Sequence, residues 1–206
     1  MKIDPRELSG ADLYRFLITA VVPRPIAFVS TRSAEGGTNV APFSFFNAIT
    51  SEPPIVMIAI NDRAGDPKDT LRNIRETGEF VINVVHRPLL EPMVRAAGEW
   101  PRGASEFDVA GLTACASVRV AAPGVQESPI RIECRTHREV QIGKSVVVFG
   151  EVVYAWVDDA VLTDGRIDPE KLAPVGRLGG EAYSLTTDVV KVPRPRVSRA
   201  SGELLG

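Results

Sequence analysis

The sequence is poor in the residues that carry metal and thiol chemistry. Its two cysteines, Cys115 and Cys134, cannot supply a disulfide framework or a four-thiolate metal site. Both fall in stretches that read as strand, and both are expected as buried, reduced filler. Only two histidines occur, His86 and His137, far apart in the chain. No Cys/His cluster has metal-ligand spacing, so no metal is expected. A serine hydrolase triad would need one of those histidines, and no nucleophile-elbow motif accompanies either. There is no Gly-rich dinucleotide fingerprint and no phosphate-cradling P-loop. The formal net charge of −2 lacks the basic surplus of a nucleic-acid binder. No apolar run approaches the ~20 residues of a membrane helix. The charged stretch Met1 to Leu8 lacks an apolar signal segment, so a cytoplasmic protein without membrane contact is expected.

What is present fits one domain with a real core: 206 residues, of which 44% are hydrophobic. No linker-like stretch divides the chain before a basic, Pro-containing tail. One domain over 1–190 and a loosely held tail over 191–206 are expected. Most elements read as strands. Ala11 to Ala20 suits a short amphipathic helix ending before Pro23. Pro25 to Thr31 reads as a buried strand, and Glu35-Gly36-Gly37 as the turn of a hairpin into a strand beginning near Asn39. Ile55 to Ile60 is another apolar strand. Asp66 suits an N-cap and Pro67 the first helical position of a helix that stops at Gly78. Phe80 to Val85 reads as strand, and Leu89 to Ala97 as a short helix.

The later half alternates clearly. Ile130, Ile132, Cys134, Thr136, Arg138, Val140 and Ile142 share one face of a strand. Arg131, Glu133, Arg135, His137, Glu139 and Gln141 form the other, expected as wet. Gly143-Lys144 offers a tight turn into Ser145 to Val157, which is apolar on both faces around Gly150. Two strands of ~40 Å suit a curling, closing sheet. The doubly apolar strand needs further cover, from packed helices or a second subunit, and a homodimer is favoured.

Two constellations suggest a bound anion and a flat ring. The helix start at Asp66-Pro67-Lys68-Asp69-Thr70 presents free amides, a cation and a hydroxyl, which suits one phosphate. Ordinary capping by Asp66 and Asp69 is the competing reading. Asn39 to Asn47, followed by Thr50-Ser51-Glu52-Pro53-Pro54, mixes amides and hydroxyls with aromatics. Pro42 and Pro53 predict an irregular segment there, whose polar backbone could read the edge of an isoalloxazine ring. A structural corner with Phe43, Phe45 and Phe46 as core is the alternative.

These residues also carry a resemblance. Val22-Pro23-Arg24-Pro25-Ile26-Ala27-Phe28-Val29-Ser30-Thr31 resembles the opening strand of flavin reductase-like proteins, flavoredoxin among them. The likeness continues through Asn39-Val40-Ala41-Pro42-Phe43-Ser44, Pro53-Pro54, Lys68-Asp69-Thr70, Glu79-Phe80, Gly150-Glu151-Val152 and Arg177-Leu178-Gly179-Gly180 with Tyr183. It covers roughly residues 12 to 185. The resemblance implies a mainly β, antiparallel Greek-key split barrel with a few short peripheral helices, which dimerises and binds FMN near the subunit interface. It implies that Thr31, Asn39, Ala41, Ser44 and Asn47 follow the ring and ribityl chain. Thr50, Ser51, Lys68 and Thr70 would hold the phosphate, with Arg24 as a lesser candidate. The implied activity passes electrons from NADH or NADPH, through flavin, to a small molecule or a redox protein. No side chain need act as acid or base. Relatives that use nicotinamides carry a histidine near the turn that is Gly143-Lys144-Ser145 here. Its absence keeps two other readings open: a non-enzymatic FMN electron carrier, and a barrel without flavin.

Overall fold

The computed structural model describes residues 2–61, 66–101, 104–199 and 204–205. Its frame is a seven-stranded antiparallel sheet: β1 (Ala27–Arg32), β2 (Thr38–Phe43), β3 (Phe46–Ser51), β4 (Pro54–Asn61), β5 (Glu79–Val84), β6 (Ile130–Ile142) and β7 (Ser145–Val157). In space the strands lie in the order β2-β1-β5-β6-β7-β4-β3. The two edges, β2 and β3, are separated in the chain only by Ser44 and Phe45. Three Cα–Cα steps reach at most about 11 Å, so the sheet must curl until its edges nearly meet. Ala59 N donates to Phe45 O at 2.8 Å, which carries the pairing of β3 with β4 into this connection.

Among the described residues, five α-helices decorate this curl: α1 (Gly10–Ala20), α2 (Asp69–Thr77), α3 (Leu90–Ala96), α4 (Glu106–Ala110) and the single turn α5 (Pro169–Leu172). The period-2 alternation of β1 divides its side chains between two cores. Ala27 and Val29 point into the barrel, against Ile58, Phe80, Ile82 and the α2 residues Leu71 and Ile74. Phe28 points outward, against Val40, Leu89, Met93 and Phe107, so α3 and α4 cover that face. Each fully buried Phe or Ile contributes ~1.5–3 kcal/mol. The long strands β6 and β7 stagger at two irregularities, between Phe149 and Gly150 and between Val152 and Tyr154. Gly150 is there for space: a Cβ would stand 2.3 Å from the Phe80 ring.

Several expectations need correction. The stretch around Pro42 is not irregular. It forms β2 and β3, and the break falls at Ser44 and Phe45. Pro42 is tolerated because β2 is an edge strand, paired only with β1, so a missing N–H costs no second ladder. Asp66 is not the N-cap of α2. Lys68 is, and the helix begins at Asp69, because Asp66 is engaged by Arg72 instead. The helix expected over Leu89 to Ala97 is present as α3, preceded by a 3-10 turn at Arg87–Leu89.

The expected wet face of β6 is interrupted. Glu133 is only 4% exposed, because the segment around residues 117–122 lies over it. Its carboxylate accepts from Val118 N at 2.8 Å and Arg119 N at 2.6 Å. Cys134 is buried as expected, and burial raises its thiol pKa. Cys115 is only half-buried, on the two-residue strand Ala114–Cys115. His137 is exposed, as expected. Within the tail, Arg196–Val197 pairs with Leu204–Leu205.

Candidate functional site

The start of α2 forms the floor of a cavity. Lys68 occupies the N-cap in extended conformation and makes no side-chain cap. The bonding of the helix begins with Leu71 N and Arg72 N, which donate to Lys68 O at 2.9 and 3.1 Å. The earlier amides, those of Asp69 and Thr70, are left over by helix geometry. A cavity of about 250 Å³ opens at this tip, with Asn39, Ala41, Pro42, Lys68, Thr70 and Trp100 in its wall. Lys68 lines the cavity, and its Nζ lies 5.3 Å from the centre of the Phe43 ring.

The two carboxylates at the tip are held by one guanidinium. Arg72 makes a short ion pair with Asp66 and a longer one, 3.6 Å, with Asp69. Two carboxylates would repel an anion here, but Arg72 partly neutralises their charge, while Lys68 adds a positive one. Arg72 was not singled out from the sequence, although Asp69 and Arg72 stand at the i,i+3 spacing that brings helix side chains together.

Behind the cavity wall lies a buried polar network. Thr31, Thr70, Asn39 and Asn73 are each 8% exposed or less. Asn73 Nδ2 donates to Thr31 Oγ1 at 3.0 Å. Asn39 lies 2.9 Å from Thr70 Oγ1. With its amide oxygen toward Thr70, Asn39 also accepts from Val40 N and donates to Glu106 Oε1, both at 3.3 Å, and this orientation satisfies every group. The network joins β1, β2, α2 and α4, and its satisfied bonds stiffen the wall. Thr31 sits inside it with no exposed surface, so its side chain supports the cavity rather than lining it.

A second cavity, of about 230 Å³, shares Pro42 and Ala97 with the first. Tyr14, Arg24, Ser44, Met93, Arg177 and Tyr183 line it. Arg24 is buried and donates to Ile18 O, Val21 O and Leu178 O at 2.5, 2.8 and 2.9 Å, and to Ser44 Oγ at 3.3 Å. Most of its donors are spent on these bonds, which hold the end of α1, and it does not line the first cavity. This corrects its reading as a phosphate ligand. Burial lowers its pKa first; the Tyr14 contribution opposes this, and the like charge of Arg177 adds to it.

The structure therefore brings Asn39, Ala41, Lys68 and Thr70 to one cavity and Ser44 to its neighbour. Asn47, Thr50 and Ser51 lie exposed on β3 and line neither. Asn47 Oδ1 accepts from Ala48 N at 2.9 Å, and Thr50 bonds locally to Glu52. Grouping Thr50 and Ser51 with Lys68 about one phosphate does not hold within one chain. Trp100 and Glu106, which the sequence reading missed, complete the first cavity. His86 lies in neither cavity. It is half-buried, its Nδ1 has no partner among the described residues, and burial lowers its pKa.

Comparison with known proteins gives consistent matches. A family model described as the flavin reductase like domain matches residues 19–170. An uncharacterized protein of Halalkalibacterium halodurans is 42% identical over 206 residues, 97% of this chain and 99% of that protein. The crystal structure of nitrilotriacetate monooxygenase component B from Bacillus cereus superposes with a TM-score of 0.90 at 33% identity, covering 93% of this chain and 98% of the other. That of the 2-nitrobenzoate 2-nitroreductase of Pseudomonas fluorescens gives 0.88 at 31%, covering 98% and 100%.

Proposed function

The chain belongs to the flavin reductase-like family and has its split-barrel fold, and from that premise we propose that it is an FMN-dependent oxidoreductase. In this reading it carries electrons from NADH or NADPH to a small-molecule or protein acceptor. The observation that carries it is the cavity at the tip of α2, where Lys68 and uncapped helix amides face a space bounded by low walls at Ala41 and Pro42.

The residues present fit a flavin monophosphate. Lys68 and the first helix amides match a single phosphate: a charged hydrogen bond is worth about 1.5–3 kcal/mol, and the helix terminus adds about 0.3–1 kcal/mol. Arg72 keeps Asp66 and Asp69 from opposing it. Asn39, locked between Thr70 and Glu106, presents a fixed amide edge. Ala41 and Pro42 bring little bulk and leave room for a flat ring. Bound FMN would supply the hydride-accepting and electron-releasing chemistry. The chain supplies anchorage, orientation and exclusion of water.

A homodimer forms part of the proposal. α1 buries none of its residues, and Tyr14, Phe16, Leu17, Val21 and Val22 on or beside it are exposed. On β3 and β7, Ile49, Tyr154 and Trp156 are exposed as well. Apolar exposure of this kind marks an interaction surface. A second subunit could also bring Asn47, Thr50 and Ser51 to the flavin.

One observation favours a second reading, that of an electron carrier. The tight turn at Gly143 leaves Lys144 exposed and offers no histidine to a nicotinamide. Anaerobic addition of NADH and of NADPH to the FMN-loaded protein separates the readings. Rapid bleaching of the flavin absorbance supports the oxidoreductase. Slow bleaching with fast reduction by a redox protein supports the carrier. A protein that does not bind FMN at all refutes both.

A further inference from the structure

The motif Arg177-Leu178-Gly179-Gly180 with Tyr183 has no part in the cavity at α2. It lies in a small three-stranded antiparallel sheet of Arg24–Pro25, Val175–Arg177 and Tyr183–Leu185. The register sets Arg24 opposite Arg177, and Arg177 opposite Tyr183. Like charges directly opposite one another across strands are destabilising. Among the described residues, neither arginine has a carboxylate partner within ion-pair distance. The two arginines thus stand at facing positions, without a counter-ion among the described residues.

The two arginines differ in what they have left to give. Arg24 donates to three backbone carbonyls and to Ser44. Among the described residues, the Arg177 guanidinium makes one hydrogen bond, from Nη2 to Gly180 O at 2.5 Å, and it lies 4.5 Å from the centre of the Tyr183 ring. A guanidinium has five N–H donors, so most of Arg177's are unspent. Stacking on an aromatic face leaves the edge of the fork open to a planar oxyanion. The turn between the strands is built to hold it there. Gly179 packs against α1 so closely that a Cβ would come within 2.5 Å of the Thr19 side chain, and Gly180 takes a φ of 58°.

The cavity beside this pair selects further. It encloses about 230 Å³, room for a single ring. Tyr14 and Tyr183 supply aromatic walls, and Ile18, Ile26 and Met93 an apolar floor. We propose that this second cavity binds a small aromatic monocarboxylate, its carboxylate on Arg177 and its ring between Tyr14 and Tyr183. Because the two cavities share Pro42 and Ala97, such a ligand would lie next to whatever occupies the first. The site needs only the residues named here and does not depend on the flavin assignment.

Benzoate and its uncharged isostere benzamide test the proposal. Binding to the purified protein is followed by intrinsic fluorescence and by calorimetry, with and without saturating FMN. Benzoate should bind at least tenfold more tightly than benzamide, in both conditions. Arg177→Gln should abolish that preference, and Arg177→Lys should restore part of it. The preference in the unaltered protein needs no variant, so a poorly folded Arg177→Gln leaves the test intact. Equal affinity for the two ligands would overturn the proposal. So would failure of benzoate to bind, a preference that survives Arg177→Gln, or displacement of benzoate by FMN, which would give the cavity to the flavin.

Discussion

Replacing Lys68 by alanine separates an anchored phosphate from a merely buried ring. Lys68 caps α2 without a side-chain hydrogen bond to the helix, and its Nζ lies 5.3 Å from the centre of the Phe43 ring. If it meets a phosphate, the lost charged hydrogen bond amounts to about 1.5–3 kcal/mol. At 1.4 kcal/mol per decade, FMN should bind roughly 10- to 150-fold more weakly. Riboflavin has the same ring and ribityl chain without the phosphate, so its affinity should change by less than about threefold. The helix itself should survive. The lost contact with Phe43 is worth only about 0.5–1 kcal/mol at a partly exposed site. Titration of flavin fluorescence against variant and parent gives all four dissociation constants. The phosphate contact should also weaken with salt in the parent and less so in Lys68→Ala. Equal losses for FMN and riboflavin would refute the argument, because they would place Lys68 at the ring or in the fold rather than at the anion.

Other perturbations test the frame around the site. Gly150→Ala drives a Cβ to 2.3 Å from Phe80 and should lower unfolding stability by about 1–3 kcal/mol in urea, with little change if Phe80 is also made Leu. Asn73→Ala removes the donor to buried Thr31 and should cost about 1–3 kcal/mol, read as a lower urea midpoint. The folded-state pKa of His86 is depressed by burial, so the unfolded chain takes up the proton first as pH falls. Its contribution is intact above the ordinary pKa of 6.5 and is lost as pH drops through the depressed value. His86→Gln should flatten the fall in melting temperature on the acid side of 6.5, and an unchanged profile would exclude His86 as the titrating group.

Much of this molecule is written locally in its residues. The two-residue alternation from Ile130 to Ile142 and the apolar run from Ser145 to Val157 determine two long strands and the turn between them, with bounds that the structure reproduces. Gly78, at a φ of 71°, ends α2 where a left-handed residue was expected. Lys68 and Thr70 stand at the opening of α2 beside a cavity; a helix start in this stretch is legible locally, although its cap is Lys68 and not Asp66. Such features depend on neighbours a few positions away, where propensity and capping act.

What only the tertiary structure decided depends on registers between distant strands. Glu133 has the position of a solvent-facing residue, yet a segment more than ten residues earlier covers it and gives it two backbone amides. Pro42 reads as a strand breaker, and only the edge position of β2 makes it harmless. Asn47, Thr50 and Ser51 follow closely on Ala41 and Ser44 in sequence, but the course of β3 keeps all three out of both cavities within one chain. The facing pair Arg24 and Arg177 is set by a three-residue strand that returns from near the end of the chain. No local pattern encodes which strand lies opposite which. That follows from the closing of the sheet, which brings far-separated residues together to bury one common core.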